Sequence, residues 1–192
     1  AIIDYKTGSV PTTLDNINYG LHLQLPVYIY LTKRGLHKDI KITGFYLQKI
    51  LNSKTVDSDS LEEDSKKALR LDGYSLDSEE EIIKFDKTYT KSDVIKGMAT
   101  TSKGFAHYTK LFTDKDIDKI DNIVEERINE VVGAIEEGNF PINPKRVQGE
   151  LIGCEFCKYK EICYRKEEDI VDLEYKTRED ILGDDLNAKM DE

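Results

Sequence analysis

"IIDYKTG", residues 2–8, runs from two isoleucines through an Asp-x-Lys pair to a glycine. β-Branched and aromatic residues favour the pleated conformation, and the Thr-Gly step closes it, so residues 2–6 are predicted to form a strand. Alternate side chains of a strand share a face. Asp4 and Lys6 then stand side by side, with Ile3 and Tyr5 on the opposite face. Such a pair suits metal-assisted hydrolysis of a phosphate ester. The carboxylate holds Mg²⁺, and the lysine orients the attacking water and stabilises charge developing on the phosphate. The same residues also fit an ordinary exposed ion pair at a strand end, so the rest of the chain has to decide.

A second polar pair follows in "LHLQLPVYIYL", residues 21–31. Apolar residues alternate from 21 to 31, which favours a strand. Pro26 disfavours both a central strand and an unkinked helix. Gln24 and Tyr28 lie four apart and share a face in either conformation. A glutamine amide and a tyrosine hydroxyl suit a polar cluster around a phosphate or a catalytic lysine; they equally suit a half-buried polar face.

The bulk composition narrows the class. Charged residues make up 34% of the 192-residue chain, above the usual quarter, while the 39% hydrophobic share still supplies a core. No apolar run approaches the roughly 20 residues of a membrane span, and no signal peptide is visible, so a cytoplasmic location is expected. The net charge of −10 argues against strong autonomous nucleic-acid binding. It does not exclude catalysis on DNA, because metal-holding carboxylates are acidic and a larger assembly can supply a basic channel. Neither a Walker-type loop nor GxGxxG occurs, so nucleotide binding has no support. With no initiator Met, and Ala1 directly before a strand, the chain reads as a piece of a longer protein.

Further along, "IKITGFYLQKI", residues 40–50, is predicted to be a strand, and residues 52–66 a solvated loop or insertion. Residues 67–110 mix short apolar pieces with turns, and "KGMATTSKG", residues 96–104, reads as a flexible loop. Ile117, Ile120, Val124, Ile128, Val131 and Ile135 recur at spacings of three and four, predicting a helix over 114–137. Thr113 caps its start, Asp114 and Asp116 suit its first turn, and Gly138 fits just past its end. The division expected is core elements in 1–51, an insertion in 52–110, the long helix and connector in 111–147, a cysteine cluster in 148–166 and an acidic surface tail in 167–192.

The three cysteines, Cys154, Cys157 and Cys163, fall within "GCEFCKYKEICYR", residues 153–165. An odd, tight cluster is no disulfide framework. It fits three free thiols, a zinc site closed by a histidine, or an iron–sulfur cluster with a fourth cysteine elsewhere, shielded by Phe156, Tyr159 and Tyr164. His22, His37 and His107 are distant, and nothing marks any of them as the partner.

The order "IDYKTG", "QLPVY", then CxxCx5C resembles the RecB-type branch of the PD-(D/E)XK nuclease superfamily, in its iron–sulfur form. The resemblance covers about residues 2–165. It implies an α/β restriction-endonuclease-like core, a mixed sheet flanked by helices, truncated at its N-terminus. By resemblance Asp4 matches the second acidic metal ligand and Lys6 the catalytic lysine, while Gln24 and Tyr28 match a QxxxY motif on a helix. That resolves 21–31 as helical, with Pro26 a local irregularity. Cys154, Cys157 and Cys163 match three ligands of a 4Fe–4S cluster. The first acidic motif and the fourth cysteine would precede residue 1. The long separation between Tyr28 and Cys154, and "NPKR" before the trio, look more like the AddB-type nuclease domain of AddAB helicase–nucleases than a compact CRISPR adaptation nuclease. This implies a Mg²⁺-dependent DNA exonuclease that processes double-strand ends together with an AddA-like partner. A non-catalytic, metal-stabilised interaction module is the alternative from another class.

Overall fold

The computed structural model describes residues 1–8, 12–35, 40–50, 61–155 and 157–183. The chain opens with strand β1 (Ile2–Lys6), as its β-branched residues dictate, and passes through a 3₁₀ turn at Ile17–Tyr19 into helix α1 (Gln24–Arg34). It returns as strand β2 (Gly44–Lys49), parallel to β1 with Asp4 opposite Leu47 and Lys6 opposite Lys49. Pro26 produces no irregularity. It sits in the first turn of α1, where a backbone N–H has no intrahelical partner to lose. The buried residues Leu25 and Ile29 are four apart, so the helical period wins over the apparent alternation.

Next come helix α2 (Leu61–Ala68), strand β3 (Leu71–Leu76), helix α3 (Glu79–Phe85), the short strands β4 (Thr100–Thr101) and β5 (Gly104–Phe105), and strand β6 (Leu111–Phe112). The main sheet has the order β1-β2-β3-β6, with β3 antiparallel to β2 and β6 parallel to β3. It is thus mixed, and it carries helices on its faces as expected. Residues 52–110, expected as an insertion, supply β3, a central strand of this sheet. Residues 61–66, expected as loop, lie in α2, and residues 51–60 fall outside those described. Residues 96–104 do not read out as a loose loop either: Met98 is buried and Thr100–Phe105 form a hairpin.

Strand β3 was hidden by its own composition, since "LDGYSL" carries an aspartate and a glycine, both poor strand formers. Gly73 is there for space. A Cβ on it would lie 2.1 Å from the Phe45 carbonyl oxygen. The Tyr46 ring packs close to Gly73. Its hydroxyl lies 2.7 Å from Ser75 Oγ, and burial pushes its pKa up to about 12.

Helix α4 (Asp114–Glu136) follows the expected span. Thr113 and Asp116 form a reciprocal capping box, and Gly138, at φ 65°, takes the left-handed conformation past its end. Ile117, Ile120 and Val124 are buried with Leu25 and Ile29 of α1 in one core cluster against Phe45, Tyr74 and Phe112 of the sheet. At the helix rim Arg34 donates to Asp121 at 2.8 and 2.9 Å and to Glu125 at 3.0 Å, its guanidinium 3.6 Å above the Tyr30 ring centre. A smaller cluster, with Tyr46, Leu71, Ile82, Ile95 and Met98, fills the other face.

A second sheet, ordered β8-β7-β9, is built from β7 (Lys145–Val147), β8 (Glu150–Leu151) and β9 (Val171–Leu173), and helix α5 (Arg178–Leu182) follows. Residues 167–192, expected as an acidic surface tail, lie mostly at the surface as far as residue 183 but are built into the fold. Strand β9 pairs with β7, Leu182 is fully buried in the main core, and Arg178 donates to buried Asp116 at 3.0 Å. Asn16 and Lys176 exchange hydrogen bonds at 2.9 and 2.8 Å, fastening the segment to the turn before α1. Residues 184–192 lie outside those described. Among the described residues no helix is long and apolar enough to cross a membrane.

Candidate active site

The end of β1 and the start of α1 meet at the sheet edge, and this meeting assembles four polar side chains. Lys6 is the last residue of β1 and Gln24 the first of α1, so the β-to-α crossover lays one over the other. The Lys6 ammonium lies 2.7 Å from Asp4 Oδ2 and donates to Gln24 Oε1. Gln24 Nε2 in turn donates to the Tyr28 hydroxyl at 3.0 Å, one helical turn on. Asp4, Lys6, Gln24 and Tyr28 therefore form one continuous polar chain. A lysine can only donate, so the glutamine must turn its oxygen to Lys6 and its nitrogen to Tyr28.

The Asp4 carboxylate is half-buried. Its Oδ2 sits near the ammonium but off the hydrogen-bonding direction, and it is buried with no hydrogen-bond partner among the described residues. A half-buried carboxylate whose oxygen has an ion pair but no aligned hydrogen bond keeps acceptor capacity that a hard divalent cation could use. Among the described residues no group of three or more His, Cys, Asp or Glu side chains is arranged to hold a metal. Asp4 would be one protein ligand of such an ion. Mg²⁺ commonly takes one or two carboxylates and fills its octahedron with water and substrate phosphate.

Beside the four residues lies a cavity of about 310 Å³ lined by Lys6, Thr12, Thr13, His22, Gln24 and Leu47. The two threonines also line a larger cleft of about 780 Å³ that reaches Lys110 and Arg178. Thr12, Thr13 and Asp72 had no motif to mark them. Asp72 lies on the face of β3 aligned with Leu47 and Asp4, and its carboxylate is held by Lys110 at 2.8 Å and Lys96 at 3.2 Å. Burial raises its pKa, but the two ammonium groups outweigh burial and leave it below its ordinary value.

The cysteines stand on the other sheet, in turns that follow β8: Cys154 N–H donates to Leu151 O at 3.0 Å and Cys157 N–H to Cys154 O at 3.3 Å. All three are half-buried free thiols. Tyr159 and Tyr164 are exposed rather than covering them, and Phe156 lies outside the described residues. The structure does not gather the three thiols into a metal-holding group; a four-cornered site would need them drawn together and a fourth ligand added.

Residues 1–164 match the family model of the PD-(D/E)XK nuclease superfamily. Curated relatives are named as the B subunits of ATP-dependent helicase/deoxyribonucleases. The one from Carboxydothermus hydrogenoformans is 25% identical over 88% of this chain and 16% of its own length. That from Thermoanaerobacter sp. is 29% identical over 84% and 15%, and that from Alkaliphilus metalliredigens 26% identical over 96% and 17%. The chain thus spans about a sixth of the length of these relatives.

Proposed function

The chain belongs to the PD-(D/E)XK nuclease superfamily, and from that premise we propose that it is the nuclease domain of an AddB-type protein, hydrolysing DNA phosphodiester bonds with Mg²⁺ beside an AddA-like helicase–nuclease partner. The setting is the processing of double-strand ends for recombinational repair in the cytoplasm. The observation that carries this reading is the polar chain from Asp4 through Lys6 and Gln24 to Tyr28.

Each member has a physical task. Asp4, whose Oδ2 is ion-paired with Lys6 but makes no aligned hydrogen bond, would offer its carboxylate to the cation. Bound there, Mg²⁺ would polarise a phosphate oxygen and acidify a water. Lys6, fixed between Asp4 and Gln24, presents a preoriented positive charge to the phosphate oxygens as negative charge builds on them, so little reorganisation is needed at the moment of reaction. Gln24 aims the ammonium, and Tyr28 aims Gln24. Cys154, Cys157 and Cys163 would supply three ligands of a 4Fe–4S cluster with a structural task, closed by a cysteine elsewhere in the polypeptide. Iron and sulfide analysis of the longer protein tests that assignment, and zinc in place of iron overturns it.

The test of the active site is cleavage of linear DNA with Mg²⁺ by the full-length protein assembled with its partner. Lys6→Ala and Asp4→Ala should each lower cleavage by this domain at least ~10³-fold, as loss of a transition-state charge stabiliser or metal ligand does, while circular dichroism stays unchanged. Near-normal cutting by either variant overturns the assignment.

A further inference from the structure

Lys6 faces two ways. On one side it meets Gln24; on the other it forms one wall of a shallow depression of about 180 Å³ also lined by Lys49, Lys67, Arg70, Lys96 and Asp72. Among the described residues five cations thus line a surface with one carboxylate, on a chain that carries 38 acidic residues against 28 basic ones. The fold brings them there from separate elements. Lys49 ends β2 directly opposite Lys6, Lys67 lies in the last turn of α2, Arg70 precedes β3, and Lys96 approaches from the loop after α3. A helix C-terminus accounts for Lys67 alone. Two like charges opposite one another on neighbouring strands, Lys6 and Lys49, cost stability.

The carboxylates nearby do not neutralise the depression firmly. Asp72 is shared by Lys96 and Lys110. Arg70 pairs with Asp93 at 3.5 Å, but that acid is 80% exposed. Exposed pairs of this kind contribute little and exchange readily for a better anion. From this geometry we infer that the depression is a track for the phosphate backbone of single-stranded DNA, which places successive phosphates over Lys49, Arg70 and Lys96 while one reaches Lys6. The inference rests on the nuclease reading and adds the direction in which the strand lies: from the end of β1 across β2 toward β3.

The test is fluorescence anisotropy of the full chain with a labelled oligothymidylate over a range of salt concentrations. The triple variant Lys49→Ala, Arg70→Ala, Lys96→Ala should weaken binding about 10- to 100-fold at low salt and make the log–log salt slope shallower by about two, since each single-strand phosphate contact contributes ~0.7. An equal-charge control, Lys84→Ala, Lys87→Ala, Lys91→Ala, should change affinity less than about threefold. Should the first triple lose its fold, Lys49→Ala alone must weaken binding in the same direction. Equal losses in the two triples, no measurable binding by the unaltered chain, or displacement of the oligonucleotide by polyglutamate as readily as by unlabelled oligothymidylate each overturn the track. Cleavage separates the two readings. If Lys6→Ala abolishes cutting while the groove triple binds normally, the active site stands and the track falls. If Lys6→Ala cuts normally while the groove triple loses affinity, the track stands and the active site falls.

Discussion

Gln24, the first residue of α1, accepts a hydrogen bond from the Lys6 ammonium on β1. Its amide nitrogen is committed to Tyr28 at 3.0 Å, so the glutamine is held from behind while it holds the lysine in front. The position of the lysine ammonium is thereby tied to the docking of a helix.

This arrangement ranks the variants. Gln24→Ala removes a hydrogen bond to a charged group, about 1.5–3 kcal/mol, and should lower kcat about 10- to 100-fold with little change in KM. Tyr28→Phe keeps the ring and removes only the hydroxyl that steadies Gln24, and should cost less than about tenfold. Steady-state cleavage kinetics of both variants beside Lys6→Ala measure the order. A larger loss in Tyr28→Phe than in Gln24→Ala would mean that the tyrosine touches DNA directly.

Arg178 and Asp116 pair at 3.0 Å, with side chains only 9% and 1% exposed. Asp116 Oδ2 also accepts from the Thr113 N–H at 2.8 Å, so one carboxylate both caps α4 and anchors α5. Arg178→Ala would leave that carboxylate buried without its cation and should destabilise the fold by about 3–5 kcal/mol. Replacing both partners by apolar residues should cost less than Arg178→Ala alone. Urea unfolding of the three variants measures this; a loss below about 1 kcal/mol for Arg178→Ala would make the pair incidental.

Legibility in the sequence followed the range of the interactions. Strand β1, the co-facial Asp4 and Lys6, the four-residue spacing of Gln24 and Tyr28, and the capping of α4 depend on near neighbours, and periodicity reveals them. Strand β3 and the C-terminal segment depend on distant ones. Asp72 looks like a turn residue until Lys96 and Lys110 flank it, and Gly73 looks like a break until the Phe45 carbonyl lies against it. Arg178 looks like surface charge because its partner, Asp116, is 62 residues away. Pro26 misled in the opposite sense: its position within the first helical turn, not its presence, decides its effect.

Asp15 gives the C-terminal segment a dependence on pH. Its carboxylate accepts from the Tyr175 hydroxyl at 2.6 Å and from the Arg178 N–H at 2.8 Å. Partial burial raises its pKa, but the hydrogen bonds from Tyr175, Thr13 and the Arg178 backbone outweigh burial, so it titrates below 3.8. A carboxyl whose pKa is lower folded than unfolded contributes stability that is fully present above the unfolded value and is lost as pH falls through the folded one. The contribution should be intact at about pH 5 and be lost progressively as the pH falls through the acid range toward about pH 2. Asp15→Asn should lower Tm at neutral pH and flatten its decline between those limits. Thermal melts of both proteins across that range test it; parallel curves would exclude Asp15.

Two glycine-to-alanine changes should have opposite signs. At Gly73, in the middle of β3, a Cβ would sit 2.1 Å from the Phe45 oxygen and 2.7 Å from the Tyr46 Cα, both backbone atoms of the paired strand. Neither can retreat without opening the β2–β3 ladder, where Tyr46 and Gly73 are opposite partners. Gly73→Ala should therefore destabilise by about 3 kcal/mol or more, at the upper end of overpacking effects. At Gly133, inside α4, nothing lies within 4 Å of the position a Cβ would take. There alanine removes the conformational freedom of glycine from the unfolded chain and should stabilise by about 0.5–1 kcal/mol. Urea midpoints moving in opposite directions would confirm that β3 is pressed against β2 while the second half of α4 has room. A neutral Gly73→Ala would mean that the strands do not meet in the register of Tyr46 with Gly73.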